Sequence, residues 1–304
     1  MDSAPALVRR PDAATLVVGG PEAVAFLEAH LTAPVLDLRP GDGRPAAMLA
    51  PKGTLLGIVR VRREPSRVLL EADRATLDAV APALARGTIG WQVELERDEA
   101  VAELALLGAG AAALVVGDPL AADGHAAVEL AGRPLTAIGT ADGIDLRLAA
   151  ADVDAVAAEL LARGAVAADH DLDQRRRVER GRPAFGAELD ERTLPHEAGL
   201  VPAVVTTEKG LYPGMQTVLR QQRSGTVHRA VRRLRPTAPV AAGDPVVDGE
   251  GREVGRVGTA VVSPDHGPLA LALLRTSAAP GTTVAVAGTA ATVEEADDLR
   301  GTRQ

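Results

Sequence analysis

The chain has 304 residues and a net charge of −8, and its length predicts two or three modules. Two Phe, one Trp and one Tyr are its only aromatic residues. Base-stacking side chains and an excess of positive charge are both lacking, which argues against nucleic acid as a partner. The absence of cysteine excludes disulfides, thiolate catalysis and clusters held by the protein's own thiolates. No apolar run is long enough for a signal peptide or a membrane span, which predicts a cytoplasmic protein without membrane contact.

The first predicted elements fill roughly residues 13–90. Residues 16–27 read as a strand that passes through Gly-Gly into a helix. A second strand at 67–72 leads into an amphipathic helix at 74–87, which ends at Arg-Gly, a typical C-terminal stop.

The same order recurs at roughly residues 100–166. Residues 104–114 again form a strand that runs through Gly into a helix, and a strand at 144–148 precedes a helix at 151–164 that also ends at Arg-Gly. Two copies of a ferredoxin-like β-α-β-β-α-β unit explain this echo. The alternative is that alanine-rich helices resemble each other through composition alone.

The last part of the chain changes character twice. Residues 167–225 are polar and irregular, whereas from about 238 onward only strand patterns occur, including a hairpin at 246–257 around Asp-Gly-Glu-Gly. The predicted class is therefore α+β, with two ferredoxin-like halves followed by a β-barrel. The predicted modules are residues 1–95, 96–225 and 226–304, with a polar tail at 297–304.

Two lysines stand out among 31 arginines. Lys52 and Lys209 each precede a glycine, and a lysine kept in an arginine-rich chain indicates a place where a compact ammonium is needed. The second lies in the most distinctive segment, Glu208-Lys-Gly-Leu-Tyr-Pro-Gly-Met-Gln216.

Other candidate functional residues are carboxylates and arginines. Glu179 and Glu197 lie in Gly- and Pro-rich segments, where loops position side chains for binding. A basic run extends from Arg220 to Arg235, and it is either a solvated face or a patch that attracts an anionic ligand. The six histidines are scattered without metal-ligand spacing, so we predict no metal site.

Taken together, residues 31–32 with 51–53, the motifs around Glu179 and Glu197, and Lys209-Gly-Leu-Tyr-Pro-Gly214 resemble the glycine-cleavage T-protein (GcvT) superfamily. They are most similar to its YgfZ-type folate-binding branch. The resemblance covers nearly the whole chain in the right order. It implies a three-module ring with a C-terminal barrel, holding tetrahydrofolate in its central hole.

The resemblance also implies the ligand contacts. A reduced pterin presents a ring amide and an exocyclic amine, and a carboxylate can accept both hydrogens side by side. The expected folate-binding residues are Glu179, Glu197, Lys209, Gly210, Tyr212, Gly214 and Arg220, the last for a glutamate tail.

The departures from the family concern its chemistry. The branch signature Lys-Gly-Cys-Tyr-x-Gly-Gln-Glu has Leu211 for Cys, Met215 for Gln and Gln216 for Glu. The usual Leu-Thr-Asn-Asp is replaced by Leu-Thr-Ala-Pro at 31–34, and Gly57 stands where aminomethyltransferases place an acid. No catalytic residue can be assigned, and whether the chain is an enzyme stays open.

The leading hypothesis is a tetrahydrofolate-binding protein that supports iron–sulfur cluster assembly or repair, with iron–sulfur proteins as partners and without aminomethyltransferase activity. One alternative is a divergent folate-dependent one-carbon transferase or another folate-dependent enzyme. Another is a degenerate scaffold that keeps the fold and has lost the ligand.

Overall fold

The structure is a computed structural model that describes residues 4–296, so the predicted polar tail at 297–304 lies outside it. The described residues divide into two compact units. Unit 1 comprises residues 4–48 and 58–172, and unit 2 comprises residues 49–57 and 173–296. This division does not test the three modules expected from the sequence, which stay a prediction. Within residues 4–296, no helix is long and apolar enough to cross a membrane.

The first half of unit 1 forms a five-stranded sheet with two helices. After β1 (Ala6–Arg10), which joins another sheet, its elements in chain order are β2 (Ala13–Gly19), α1 (Ala23–His30), β3 (Gly43–Leu49), β4 (Leu55–Arg63), β5 (Val68–Asp73), α2 (Arg74–Gly87) and β6 (Glu94–Asp98). The strand order is β3-β4-β5-β2-β6. Helix α2 begins at Asp73, whose carboxylate accepts a hydrogen bond from the Thr76 amide (2.7 Å). Its buried residues recur at helical spacing, which gives it one apolar face.

The second half repeats this order. Its elements are β7 (Val101–Leu107), α3 (Ala111–Val115), β8 (His125–Leu130), β9 (Arg133–Thr140), β10 (Gly143–Ala149), a short 3-10 turn, α4 (Val153–Ala162) and β11 (Val166–Ala167). The strand order is β8-β9-β10-β7-β1-β11, the order of the first half with β1 inserted. Helices α2 and α4 therefore occupy equivalent places, and the internal duplication is confirmed. Each half has one strand more than the predicted β-α-β-β-α-β order.

Strand β1 connects the start of the chain to the second half. It pairs antiparallel with β7 and parallel with β11, although the whole first half separates it from both in sequence. Leu7 and Val8 of this strand are buried.

A cluster of buried charges joins strands of both sheets within unit 1. The guanidinium of Arg60 lies 3.1 Å from Glu71, 3.3 Å from Glu103 and 2.7 Å from Asp145. Arg147 lies 2.7 Å from Glu103. The side chains of the three acids are no more than 4% exposed. Arg10 and Arg62 complete the cluster by pairing with the same acids.

The pKa values of the acids reflect this crowding. Burial alone would raise the pKa of Glu103, but Arg147, Arg10 and Arg60 outweigh it and lower the pKa to about 2. Burial would likewise raise the pKa of Glu71, which Arg147, Arg60 and Arg62 instead lower. Burial and the neighbouring Glu103 raise the pKa of Asp145 in spite of Arg10 and Arg60. The arginines thus hold both Glu71 and Glu103 in their charged form, whereas Asp145 is the acid whose protonation the cluster favours.

Unit 2 contains the predicted barrel. A closed barrel with the strand order β12-β15-β14-β13-β16-β17 is formed by β12 (Arg229–Pro236), β13 (Pro245–Val247), β14 (Glu253–Ser263), β15 (Gly267–Arg275), β16 (Thr283–Val286) and β17 (Thr289–Glu295). The predicted hairpin at 246–257 is confirmed by the β13–β14 pairing. The barrel interior is filled with Val, Leu and Ala side chains.

The prediction that residues 167–225 are irregular is partly wrong, because two helices lie there: α5 (His170–Glu179) and α6 (Met215–Ser224). Val178 is the one residue of α5 that is buried, and only Met215 and Val218 are buried in α6. With one buried residue, α5 lacks the apolar periodicity by which helices are recognised in a sequence, whereas in α6 the apolar residues Met215, Val218 and Leu219 have helical spacing over only one turn.

Candidate functional site

Three segments of unit 2 carry most of the predicted site residues, and the first is the turn between β3 and β4. The Gly53 amide donates to the Ala50 carbonyl oxygen (2.7 Å), and the Ala50 amide donates to the Thr54 carbonyl oxygen (2.8 Å). Lys52 is exposed on this turn, and Gly57 is buried in β4. Gly53 has a φ of +91°, a conformation that favours glycine.

The second segment meets this turn at a close contact between two glycines. Gly214 precedes α6 with a φ of +81°. A Cβ atom on it would lie 2.7 Å from both the Ala50 carbonyl oxygen and the Gly53 Cα. A Cβ on Gly53 would lie 2.5 Å from the Cβ of Thr217 in α6. The turn after Lys52 and the start of α6 are therefore in backbone contact, which explains both glycines sterically. No steric contact requires glycine at position 210, since nothing lies within 4 Å of the place where its Cβ would be.

Residues 206–212 form a loop that Tyr212 closes. The buried Tyr212 hydroxyl donates to the Thr206 carbonyl oxygen (2.8 Å), and burial raises the pKa of this tyrosine to about 12. The Nζ atom of Lys209 lies 5.9 Å from the centre of the Tyr212 ring, within the range of a cation–π interaction. Leu211, which replaces the family's cysteine, is 80% exposed.

The third segment is the turn that carries Glu197. The Leu55 amide donates to the Thr193 carbonyl oxygen (2.9 Å), which ties this turn to the same hairpin. Glu197 is buried and accepts from the Leu194 amide (2.9 Å) and from Nε and Nη2 of Arg229 (3.0 and 2.8 Å). A carboxylate has about four acceptor positions, so paired Glu197 has room for one more hydrogen. In this arrangement it cannot receive two pterin hydrogens side by side.

Glu179 is differently placed, at the end of α5. Its side chain is 23% exposed, and its carboxylate has only a loose contact with Arg175, at 3.9 Å, among the described residues. Its carbonyl oxygen accepts from Nη1 of Arg233 (2.8 Å). The acceptor positions of the Glu179 carboxylate are therefore free, whereas those of Glu197 are mostly occupied by Arg229.

Both acids are attached to β12, through arginines of the predicted basic run. Arg229 and Arg233 are four residues apart, roughly 13 Å along an extended strand. Arg233 and Arg235 also pair with Glu294, which shows that much of the run is neutralised within the barrel. Arg220 lies on α6, exposed and without a partner among residues 4–296.

Sequence reasoning missed His196, next to Glu197. Burial lowers the pKa of His196, and the side chain of Gln221 acts in the opposite direction. Within residues 4–296, neither its ring nitrogens nor the Gln221 Oε1 atom has a hydrogen-bond partner of good geometry. A lone histidine gives no sequence signal for such a place, because its burial depends on α6 packing against it.

Unit 2 thus offers, at the end of α5, a carboxylate with free acceptor positions and, in the loop 206–212, an ammonium beside a buried tyrosine with exposed backbone. It holds no thiol, and the position expected for a proton-transferring acid is Gly57. Residues 4–296 contain no group of three or more His, Cys, Asp or Glu arranged to hold a metal. The Glu179 carboxylate can accept hydrogen bonds from a polar ligand with N–H donors.

Comparisons with known proteins agree with this architecture. Residues 228–300 match the family of CAF17 C-terminal β-barrel domains. An aminomethyltransferase of Corynebacterium aurimucosum is 29% identical in an alignment 300 positions long, and the match covers 88% of this chain and 79% of that protein. The crystal structure of the glycine cleavage system aminomethyltransferase T from Bartonella henselae superposes with a TM-score of 0.85 at 24% identity, over 98% of this chain and 87% of that one. The chain therefore has the fold of aminomethyltransferase T and ends in a CAF17-type barrel.

Proposed function

We propose that this protein binds tetrahydrofolate and supports the assembly or repair of iron–sulfur clusters in other proteins, without aminomethyltransferase activity. The observation that carries the proposal is the meeting of three motif segments around one hairpin in unit 2: the Lys52 turn, the Glu197 turn and residues 206–214. The iron–sulfur role rests on the resemblance of these motifs to the YgfZ-type branch.

The side chains present fit a reduced pterin. Its ring amide and exocyclic amine are N–H donors, and the Glu179 carboxylate has acceptor positions to receive both. Glu197, paired with Arg229, fixes the neighbouring turn instead of serving as the main ligand. In the loop 206–212, Lys209 supplies positive charge and the exposed backbone at Gly210 supplies an amide donor.

Isothermal titration calorimetry with tetrahydrofolate tests the binding directly. We expect wild-type protein to bind and Glu179→Gln to bind about ten- to a hundredfold more weakly, because hydrogen bonds to a charged acceptor are worth about 1.5–3 kcal/mol. The matched control is Glu191→Gln, which removes an exposed carboxylate from the same unit and should leave the affinity unchanged. If wild-type protein does not bind, the degenerate-scaffold alternative is correct. Equal affinity of wild type and Glu179→Gln would remove Glu179 from the site.

Lys209 is expected to matter more than Lys52, and arginine should not replace it. The Lys209 ammonium is a compact charge 5.9 Å from the centre of the Tyr212 ring, whereas a guanidinium is larger and planar. We expect Lys209→Arg and Lys209→Ala to impair two readouts alike: folate affinity, and recovery of iron–sulfur enzyme activity in cells that lack the protein. The melting temperature should change little.

The control for this comparison is Lys52→Ala, which alters an exposed side chain and should behave as wild type. Wild-type behaviour of Lys209→Arg would instead indicate an ordinary ion pair, which is worth less than ~1 kcal/mol when exposed.

Aminomethyltransferase activity is a second candidate function, favoured by the 29% identity to the Corynebacterium protein. Attack on the methylene carbon requires a group that moves a proton at the folate nitrogen, and Gly57 has no side chain to do this. We therefore expect no turnover in a coupled glycine-cleavage assay. Measurable turnover would establish the one-carbon transferase alternative.

A further inference from the structure

Two adjoining grooves on the surface of unit 2 share only Arg229, the partner of Glu197, with the proposed folate site. One, of about 600 Å³, runs along residues 253–258 of β14 beside the loop 187–192. The other, of about 460 Å³, is lined by His228, Thr276 and Ser277. Arg229 and Arg275 line both, so the two form one continuous surface, here called the arginine groove.

The arginine groove contains a like-charge pair. Arg229 and Arg275 are directly opposite each other on β12 and β15, an arrangement that destabilises a sheet unless an anion compensates it. Glu197 compensates Arg229 through Nε and Nη2 and leaves its Nη1 without a partner among residues 4–296. Arg275 is exposed, and its guanidinium has no partner within that range, although its carbonyl oxygen accepts from the Ala278 amide (3.0 Å). The uncompensated charge of the groove is therefore on Arg275.

The acids of the arginine groove do not supply the missing anion. Glu188 accepts from Nη1 of Arg177 (2.8 Å), and Glu253 pairs with Arg256 (2.9 Å). Asp190 accepts from the Thr193 hydroxyl (2.9 Å) within its own loop. None of these carboxylates lies within 4.0 Å of the Arg275 guanidinium, so the anion that would compensate Arg275 has to come from outside.

The charge of unit 2 as a whole agrees with this. Within the described residues, unit 1 carries 14 Lys and Arg against 24 Asp and Glu, whereas unit 2 carries 17 against 14. An acidic chain thus has one basic unit, and such a surface attracts a negatively charged partner.

The shape of the arginine groove selects among anions. Its floor is an extended stretch of six residues, roughly 20 Å long, which matches a peptide in extended conformation better than a single small ion. Gly258 lets the loop approach this floor closely, since a Cβ there would lie 2.8 Å from Oε1 of Glu188 and 2.9 Å from the Ala187 carbonyl oxygen. None of the chain's four aromatic residues lines the groove, so it has no stacking platform for bases.

We propose that the arginine groove binds an extended, carboxylate-rich segment of a partner protein, with Arg275 and Nη1 of Arg229 as the central contacts. Guanidinium groups match carboxylates in fork geometry, which favours glutamate and aspartate side chains.

Fluorescence anisotropy with a labelled glutamate-rich peptide of about ten residues tests this proposal, with a glutamine-for-glutamate peptide as the uncharged control. We expect wild-type protein to bind the acidic peptide and not the glutamine peptide. Its affinity for the acidic peptide should fall as the salt concentration rises, because salt screens the charges. Arg275→Glu should weaken binding about tenfold or more, and Arg275→Gln should weaken it less. Both variants should melt at the wild-type temperature or slightly above it, because they remove the repulsion between Arg275 and Arg229 and the Arg275 side chain has no partner to lose.

The matched control is Arg252→Gln, the same charge change at a 66% exposed arginine of the barrel that lies outside the groove. We expect it to alter peptide affinity by less than about twofold. Equal losses for Arg275→Gln and Arg252→Gln, or none for Arg275→Glu, would overturn the proposal. So would tighter binding of a single-stranded oligonucleotide of equal charge.

A folate measurement separates this proposal from the proposed function. Tetrahydrofolate with one glutamate should not displace the peptide, and Arg275→Glu should bind it as wild type does. Displacement would assign the groove to the folate site and overturn a separate peptide site. A failure of folate binding alone leaves the anisotropy result standing.

Discussion

Replacement of Glu103 by glutamine is expected to lower the free energy of unfolding by about 3–5 kcal/mol, because it removes one partner of a buried ionic cluster and leaves opposite charges uncompensated. Glu103 is within 3.3 Å of three guanidinium groups, those of Arg10, Arg60 and Arg147. Glutamine has almost the same volume, so the change tests charge and not packing. Urea unfolding followed by circular dichroism measures it.

The control is Glu99→Gln, in which the lost ion pair is exposed on both sides. Glu99 and its partner Arg74 have side chains 61% and 49% exposed, so a loss below about 1 kcal/mol is expected. Similar losses in the two variants would mean that the buried cluster contributes no more than a surface pair.

A comparison of wild type with Glu103→Gln also reveals how the contribution of Glu103 to stability depends on pH. The pKa of Glu103 is lowered to about 2 in the folded state, so its stabilisation is fully present above the pKa of the unfolded chain, about 4.3. It is lost as the pH falls from there toward 2. We expect the stability difference between wild type and Glu103→Gln to shrink over this interval. A difference that stays constant from pH 5 to pH 2 would contradict the lowered pKa.

Replacement of Gly214 by alanine is expected to cost about 2–4 kcal/mol of stability and to abolish folate binding. The φ of +81° strains any residue with a Cβ, and the added atom would lie 2.7 Å from backbone atoms of Ala50 and Gly53, which cannot rotate away. The Lys52 turn would be pushed off the start of α6. Thermal unfolding and folate titration measure the two effects.

Gly210→Ala is the matched control from the same segment. Its φ is not in the left-handed region and nothing lies within 4 Å of its Cβ position, so a change within about 0.5 kcal/mol is expected. If Gly214→Ala were equally harmless, the glycine contact would not hold the two segments together.

The duplicated architecture could be predicted from the sequence because the echo between residues 74–87 and 151–164 reflects helices in equivalent places. The additional strand in each half could not. Strands β3 and β8 both lie at sheet edges, and they hold few of the β-branched residues typical of strands: none in β3 and only Val128 in β8.

The buried ionic cluster could not be predicted from the sequence, for a different reason. Arg60, Arg62 and Glu71 are charged residues within apolar strands, and such alternation normally indicates one face in water. Here strands of the second half cover that face, which the local pattern cannot reveal.

The site was predictable in its segments but not in its pairings. The sequence marks Lys209, Gly214 and the two glutamates as unusual, yet the partner of Glu197 is 32 residues further along the chain, at Arg229. That pairing depends on how the barrel packs against the turn. It also decides which of the two glutamates keeps free acceptor positions.

Strand β1 makes the order of synthesis matter. It leaves the ribosome before either of its neighbours, and at about 5–20 residues per second the final one, β11, follows roughly 8–30 s later. During that delay Leu7 and Val8 belong to an unpaired strand on a nascent chain whose first sheet is already able to form. The two arginines that follow, at positions 9 and 10, place charge on that waiting strand, a known means of discouraging association between exposed edges. Co-translational assembly of the second sheet is therefore completed on a strand that was synthesised before both of its partners.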